Sequence, residues 1–187
     1  MDGTMAILLA SMEMKKYSDP ETCRAIGSPF TCEGWTIKLS NGKRQMGCIA
    51  FGFHPNGEPR IRELRLSRHL IALNDESEVL DTIRHEIAHI LSDRSANTLE
   101  AFRERKQNGG MPHGPEWRRM ARNVGARPEA TCSTATMPAP AFRLVCGCCG
   151  TVLQTAHRRN RKTLLKSHTR CGRAGIGRLR WERNPAV

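Results

Sequence analysis

The sequence has no long apolar run. Its most hydrophobic early stretch, residues 5–10, falls far short of the roughly 20 residues a bilayer-spanning helix needs. No basic residue precedes that stretch, so the pattern of a secretory signal is missing too. A protein outside the membrane is expected on this reading, placed in the cytoplasm and nucleoid-associated if the source is bacterial or phage. Aromatic residues are scarce: five Phe, three Trp and one Tyr. Tyr17 lies far from every motif described below, which argues against a tyrosine hydroxyl as an oxyanion donor. Acidic residues are outnumbered, 18 against 30 Lys and Arg, for a net charge of +12.

What is present is unevenly placed. Residues 141–187 hold eleven Lys or Arg and a single acid, Glu182, which is +10 of the total. The preceding 140 residues are nearly neutral. A polyanion-binding module joined to a neutral domain follows from this asymmetry. In a reducing cytosol, the eight cysteines read better as thiolate metal ligands than as structural disulfides. A chain of 187 residues has room for one well-buried domain and a small appendage.

The organisation is read in four parts. Residues 1–30 form an N-terminal segment with one short helix over 5–17, ended by Ser18-Asp19-Pro20. Residues 31–126 form the main domain. In it, strands at 35–40 and 45–53 flank an Asn41-Gly42 hairpin signal, and 60–66 alternates like a third, edge strand. Helices are expected over 78–92 with Ser77 as N-cap, over 98–107, and over 115–124, where Pro115 suits the first helical position. Residues 127–141, rich in Pro, Ala, Ser and Thr, read as a linker. Residues 142–187 form the basic module.

The 78–92 helix carries His85-Glu86-Ile87-Ala88-His89. Residues four apart on a helix stack on one face, so both imidazoles can reach one metal with the glutamate beside a bound water. Val79, Leu80, Ile83, Ile87, Ile90 and Leu91 make an apolar stripe on the other side. A catalytic zinc usually has three protein ligands and an open position, so a third is needed. The metzincin pattern is excluded because positions 92 and 95 are Ser92 and Ser95. His113, just before the Pro115 helix, is the first choice, with Glu100, Glu104 and Glu116 as alternatives.

In the basic segment, Cys146, Cys149, His168 and Cys171 follow C-x2-C-x18-H-x2-C spacing. Each half ends in Cys-Gly, where a glycine lets backbone amides turn toward a sulfur. This is the signal of a closed, structural zinc ribbon. Cys148 is a surplus thiol or an alternative ligand. Cys23, Cys32, Cys48 and Cys132 read as core or free thiols, and His54, His69 and His157 lack partners.

With the strands, the HExxH helix, His113-Gly114-Pro115-Glu116-Trp117 and the terminal cysteines in view, the chain resembles the SprT (Spartan-like) family of zinc metalloproteases over roughly residues 35–181. The resemblance implies an α+β, zincin-like domain, a small antiparallel sheet plus the HExxH helix, followed by a zinc ribbon. It implies His85, His89 and His113 as ligands of a catalytic zinc, with Glu86 as general base. Family ribbons normally use four cysteines, and His168 stands here where the third would be. The expected function is a DNA-associated endopeptidase acting on DNA-bound or DNA-crosslinked proteins, with one catalytic and one structural zinc. Arg158, Arg159, Arg161, Lys162, Lys166, Arg170, Arg178 and Arg180 are expected on phosphates, largely without sequence preference. Trp181 is expected either to stack on a base or to pack within the ribbon. A non-catalytic DNA-binding protein and a peptidase with one dedicated partner are the alternatives.

Overall fold

The computed structural model describes residues 1–131, 134–172 and 177–185. Cys132 lies outside the described residues, as does Arg173 of the basic segment. The chain divides into two units, Met1–Met137 and Pro138–Val187, both mixed or β in content.

The first unit runs α1 (Gly3–Lys16), α2 (Pro20–Ala25), β1 (Thr36–Ser40), β2 (Gly47–Phe53), β3 (Pro59–Ser67), α3 (Arg68–Leu73), α4 (Glu76–Ser92), α5 (Arg94–Asn97), α6 (Leu99–Asn108) and α7 (Pro115–Asn123). The sheet order is β1-β3-β2. Strand β3 pairs parallel with β1 and antiparallel with β2, so the sheet is mixed and β3 is central, where an antiparallel sheet with an edge-like third strand was expected. Asn41-Gly42 does not close a hairpin. Instead the Ser67 hydroxyl at the end of β3 donates to the Gly42 carbonyl, and the Ser67 N–H donates to Met46 (2.7 Å), which carries the chain past β3 to its far side. The charges that made β3 look like an edge are matched laterally: Glu63 pairs with Lys38 of β1 (2.5 Å) and with Arg65 (2.6 Å). Leu64 and Leu66 on the other face are fully buried.

Helix α4 starts earlier than its apolar stripe. Asp75, not Ser77, is the N-cap, and its carboxylate accepts from the Glu78 N–H at 2.9 Å. Ser77 lies inside the first turn and donates to Asp75 (2.8 Å). The stripe residues Val79, Ile83, Ile87, Ile90 and Leu91 have no solvent exposure, each contributing roughly 1.5–3 kcal/mol through burial. Thr82, Glu86 and His89 on the other side of α4 are buried as well. The polar face of this helix is therefore enclosed rather than solvated.

Both flanking segments belong to this unit. Ala6, Ala10 and Met14 of α1 join its core, and Glu13 bonds Arg84 of α4 (3.1 Å). The N-terminal segment is thus part of the domain, and Asp19 begins α2, with Pro20 in its first turn, rather than only ending α1. Within residues 127–141, expected as linker, Arg127 and Thr136 are tied to the first unit. Arg127 pairs with Asp81 (2.9 Å) and Glu78 (2.7 Å), and Thr136 exchanges bonds with Asn74 at 2.7 and 3.0 Å. Composition alone conceals this because each partner lies about 50 residues earlier in the chain.

The second unit holds β4 (Phe142–Cys146), β5 (Val152–Ala156) and β6 (Leu179–Arg183), in the order β5-β4-β6 and all antiparallel. Its buried cluster is small: Leu144, Cys146 and Leu179, with Cys171 and Trp181 against them. Apolar cores this small commonly rely on a further crosslink, such as a metal.

Candidate metal centres

Helix α4 places His85, Glu86 and His89 on its enclosed side, and α7 begins directly after the turn that carries His113. The Nε2 atoms of His85 and His89 each lie 3.1 Å from Nε2 of His113. The sequence separation is 24 to 28 residues, so only the packing of α7 on α4 brings them together. Three ring nitrogens facing one another cannot satisfy each other, because a nitrogen that accepts carries no proton. A shared cation satisfies all three. Tetrahedral zinc with Zn–N near 2.0–2.1 Å sets nitrogens about 3.3 Å apart, so the donor set fits that ion. Glu100, Glu104 and Glu116 do not join this group among the described residues, and Glu116 is paired with Arg119 (2.6 Å).

The surroundings keep the rings neutral. Burial, then the neighbouring His113, push His85 down to about 4; burial, then His85, His113 and Arg105, push His89 down to about 3. Burial also lowers His113. Trp117 of α7 supplies much of that apolar surface, its ring centroid lying 4.6, 5.3 and 4.5 Å from those of His85, His89 and His113. Burial pushes Glu86 up to about 8, opposed by the Ile49 backbone N–H. A divalent cation beside it works in the opposite direction and favours the carboxylate.

All four side chains line one cavity of about 860 Å³, which β2 walls through Gly47, Cys48 and Ile49. Gly47 marks a close approach to Glu86 that the sequence reading missed. A Cβ there would meet Thr82 Cγ2 at 2.7 Å, Glu86 Cγ at 2.9 Å and Glu86 Oε1 at 3.1 Å. A glycine opening an apolar strand is the available signal of such a close approach. Arg105, Asp93 and Ser95 were also missed as a group, since nothing in their spacing marks them.

In the second unit, Cys146, Cys149, His168 and Cys171 bring their ligand atoms within 4.8 Å of one another. Cys149 Sγ lies 3.4 Å from His168 Nδ1. Gly150 and Gly172 take positive φ (70° and 74°), so both knuckles turn as only glycine does easily. Hydrogen bonds from the Thr151 side chain and backbone favour the Cys149 thiolate, while that thiolate pushes Cys171 up to about 12; a bound cation would favour the thiolate of both. Three sulfurs and one imidazole suit a closed zinc site. Cys148 is exposed and outside the cluster; Cys23 and Cys32 are buried, and Cys48 faces the first cavity. His54 and His69 are exposed and His157 is half-buried, all outside both clusters.

The basic side chains Arg158, Arg159, Arg161, Lys162, Lys166, Arg170, Arg178 and Arg180 are all exposed. Arg159 lies over Phe142 (5.3 Å) and Arg180 pairs with Glu182 (2.8 Å). Trp181 packs on the small core and donates through Nε1 to the Asn160 carbonyl and the Thr163 hydroxyl, both at 3.1 Å. It braces the short 3₁₀ turn Arg161–Leu165, so its indole N–H is spent inside the unit.

A pair of histidines on α4, a third from the turn before α7, and a buried glutamate beside the first define the class: a protein with a candidate three-histidine metal site. The family model described as SprT-like matches residues 27–137, within the first unit. The chain belongs to the SprT-like family, which is associated with zinc metallopeptidases. No curated protein and no solved structure matches the chain. No helix among the described residues is long and apolar enough to cross a membrane.

Proposed function

We propose that the protein is a DNA-associated zinc endopeptidase that hydrolyses polypeptides held on or crosslinked to DNA. The observation that carries this reading is the convergence of three imidazole Nε2 atoms at 3.1 Å with Glu86 in the same cavity. A closed structural site has no use for that carboxylate. His85, His89 and His113 would hold the ion. The chemistry a bound zinc supplies is Lewis acidity, which polarises a peptide carbonyl and makes water nucleophilic near neutral pH.

The protein's own groups do the rest. Glu86 accepts the proton of the attacking water at its carboxylate and returns it to the departing amine as the C–N bond breaks. Gly47 lets β2 lie close enough to hold Glu86 in place. Trp117 packs on the imidazoles and fixes their orientation.

The DNA partner rests on charge. The second unit's one acid, Glu182, is committed to Arg143 (3.1 Å) and Arg180 (2.8 Å), which leaves an excess of exposed cations suited to phosphate. The decisive assay is cleavage of casein and histone by the zinc-loaded protein, with and without single-stranded DNA. Cleavage stimulated by DNA and abolished in Glu86→Gln supports the reading. DNA binding without cleavage would make it a non-catalytic binding protein, and cleavage indifferent to DNA would make it a peptidase directed by a protein partner.

A further inference from the structure

We propose that Arg105 is a catalytic residue whose guanidinium donates to the carbonyl oxygen of the scissile peptide and stabilises the negative charge that oxygen gains in the transition state. The inference rests on the hydrolase reading above. It assigns a role for which the sequence offers no tyrosine: Tyr17 packs against the core and does not line the cavity.

Arg105, on α6, lines the same cavity as His85, Glu86, His89 and His113. It is tied to the metal helix through one end only. Its Nη1 pairs with the Asp93 carboxylate and donates to the Ser95 hydroxyl at 2.9 Å. Asp93 caps α4, and its N–H donates to the His89 carbonyl at 2.9 Å, so the anchor sits one turn beyond a histidine of the centre. Asp93 is itself held by the Ser95 N–H (2.9 Å) and hydroxyl (2.6 Å). The guanidinium carbon lies 5.9 Å from the Phe51 ring centroid on β2. Nε and Nη2 form the opposite edge of the planar fork, and neither has a partner among the described residues.

An anchored cation with an unused two-donor edge is what a developing oxyanion requires, because its donors need no reorganisation when charge appears. The other cavity arginines differ. Arg127 is committed to Asp81 and Glu78, and Arg44 is exposed. In the step proposed, water oxygen bonds to the carbonyl carbon and the C=O π pair moves onto oxygen beside Arg105. That pair returns when the C–N bond breaks. Arg105 neither gives nor takes a proton, and Glu86 carries the proton to the amine.

The test uses the zinc-loaded full chain, a fluorogenic casein-derived peptide, and a phosphinic peptide that mimics the tetrahedral adduct. Arg105→Gln and Arg105→Lys should each lower kcat by about 10²–10³-fold with KM within about threefold of wild type. Zinc content should stay at the wild-type value, while Tm should fall in Arg105→Gln, which loses the Asp93 pair, and less in Arg105→Lys. Affinity for the phosphinic peptide should fall by a comparable factor, while affinity for the cleaved peptide products holds. Wild-type kcat in both variants, a raised KM at unchanged kcat, or a kcat loss that tracks lost zinc in both variants would overturn the assignment. A wild-type protein that cleaves no peptide would overturn the hydrolase reading itself, and the assignment with it; insensitivity to Arg105 in an active wild type overturns the assignment alone.

Discussion

Gly47 on β2 lies against Glu86 on α4 so closely that a Cβ at position 47 would sit 2.9 Å from Glu86 Cγ. The strand backbone thus acts as a wall for the carboxylate. Gly47→Ala should displace Glu86 and lower kcat by about 10- to 100-fold, since an ångström of misplacement costs on that order. Zinc content should be unchanged. Kinetics with parallel metal analysis checks this, and wild-type kcat in the variant would show that the wall is dispensable.

Trp117 touches all three imidazoles and is 2 % exposed. Replacing it with Leu should free the rings to rotate and lower zinc affinity by about 10- to 100-fold, the usual cost of losing a group that orients ligands. Competition against a chromophoric chelator reads this directly. Zinc affinity equal to wild type would reduce Trp117 to core filling.

The centre was more legible in the sequence than the sheet around it. HExxH is a local pattern whose helical geometry sets His85 and His89 on one face, whereas His113 joins them only through the packing of α7 on α4. The sheet order was not legible, because Asn41-Gly42 has the local signature of a hairpin while the competing contacts, from Ser67 to Gly42 and Met46, are about 20 or more residues away. The tethering of Arg127 and Thr136 was not legible for the same reason: nothing near either residue hints at Glu78, Asp81 or Asn74. Gly47 and Arg105 matter through what faces them across the fold, which a linear reading cannot supply.

Glu13 links α1 to α4. Burial pushes its carboxyl up, but the bonds from Lys16 and Arg84 outweigh burial and hold it below its ordinary value of 4.5. A depressed folded value stabilises the fold above the unfolded pKa, and that contribution is lost as pH falls through the folded one. Glu13→Gln should therefore cost about 2 kcal/mol near pH 7. The gap to wild type should shrink below about pH 4.5 and close at lower pH. Denaturant melts at pH 7 and in acid measure it; a pH-independent gap would mean that packing, not charge, is lost.

The C-terminal cluster should hold its own ion. Cys149→Ser with Cys171→Ser should lower zinc from about two to about one per chain and weaken DNA binding, leaving the histidine centre loaded. Arg161→Ala with Lys162→Ala should keep both ions and reduce the slope of log affinity against log salt by about two. An unchanged slope would remove these side chains from the phosphate contacts.

The most direct measurement is zinc content in the Cys149→Ser, Cys171→Ser background, with and without His113→Ala. With the second site removed, the account predicts about one tightly held zinc per chain when His113 is present and a severe loss of affinity when it is absent. Undiminished zinc in the His113→Ala protein, or none in its parent, would contradict a three-histidine centre.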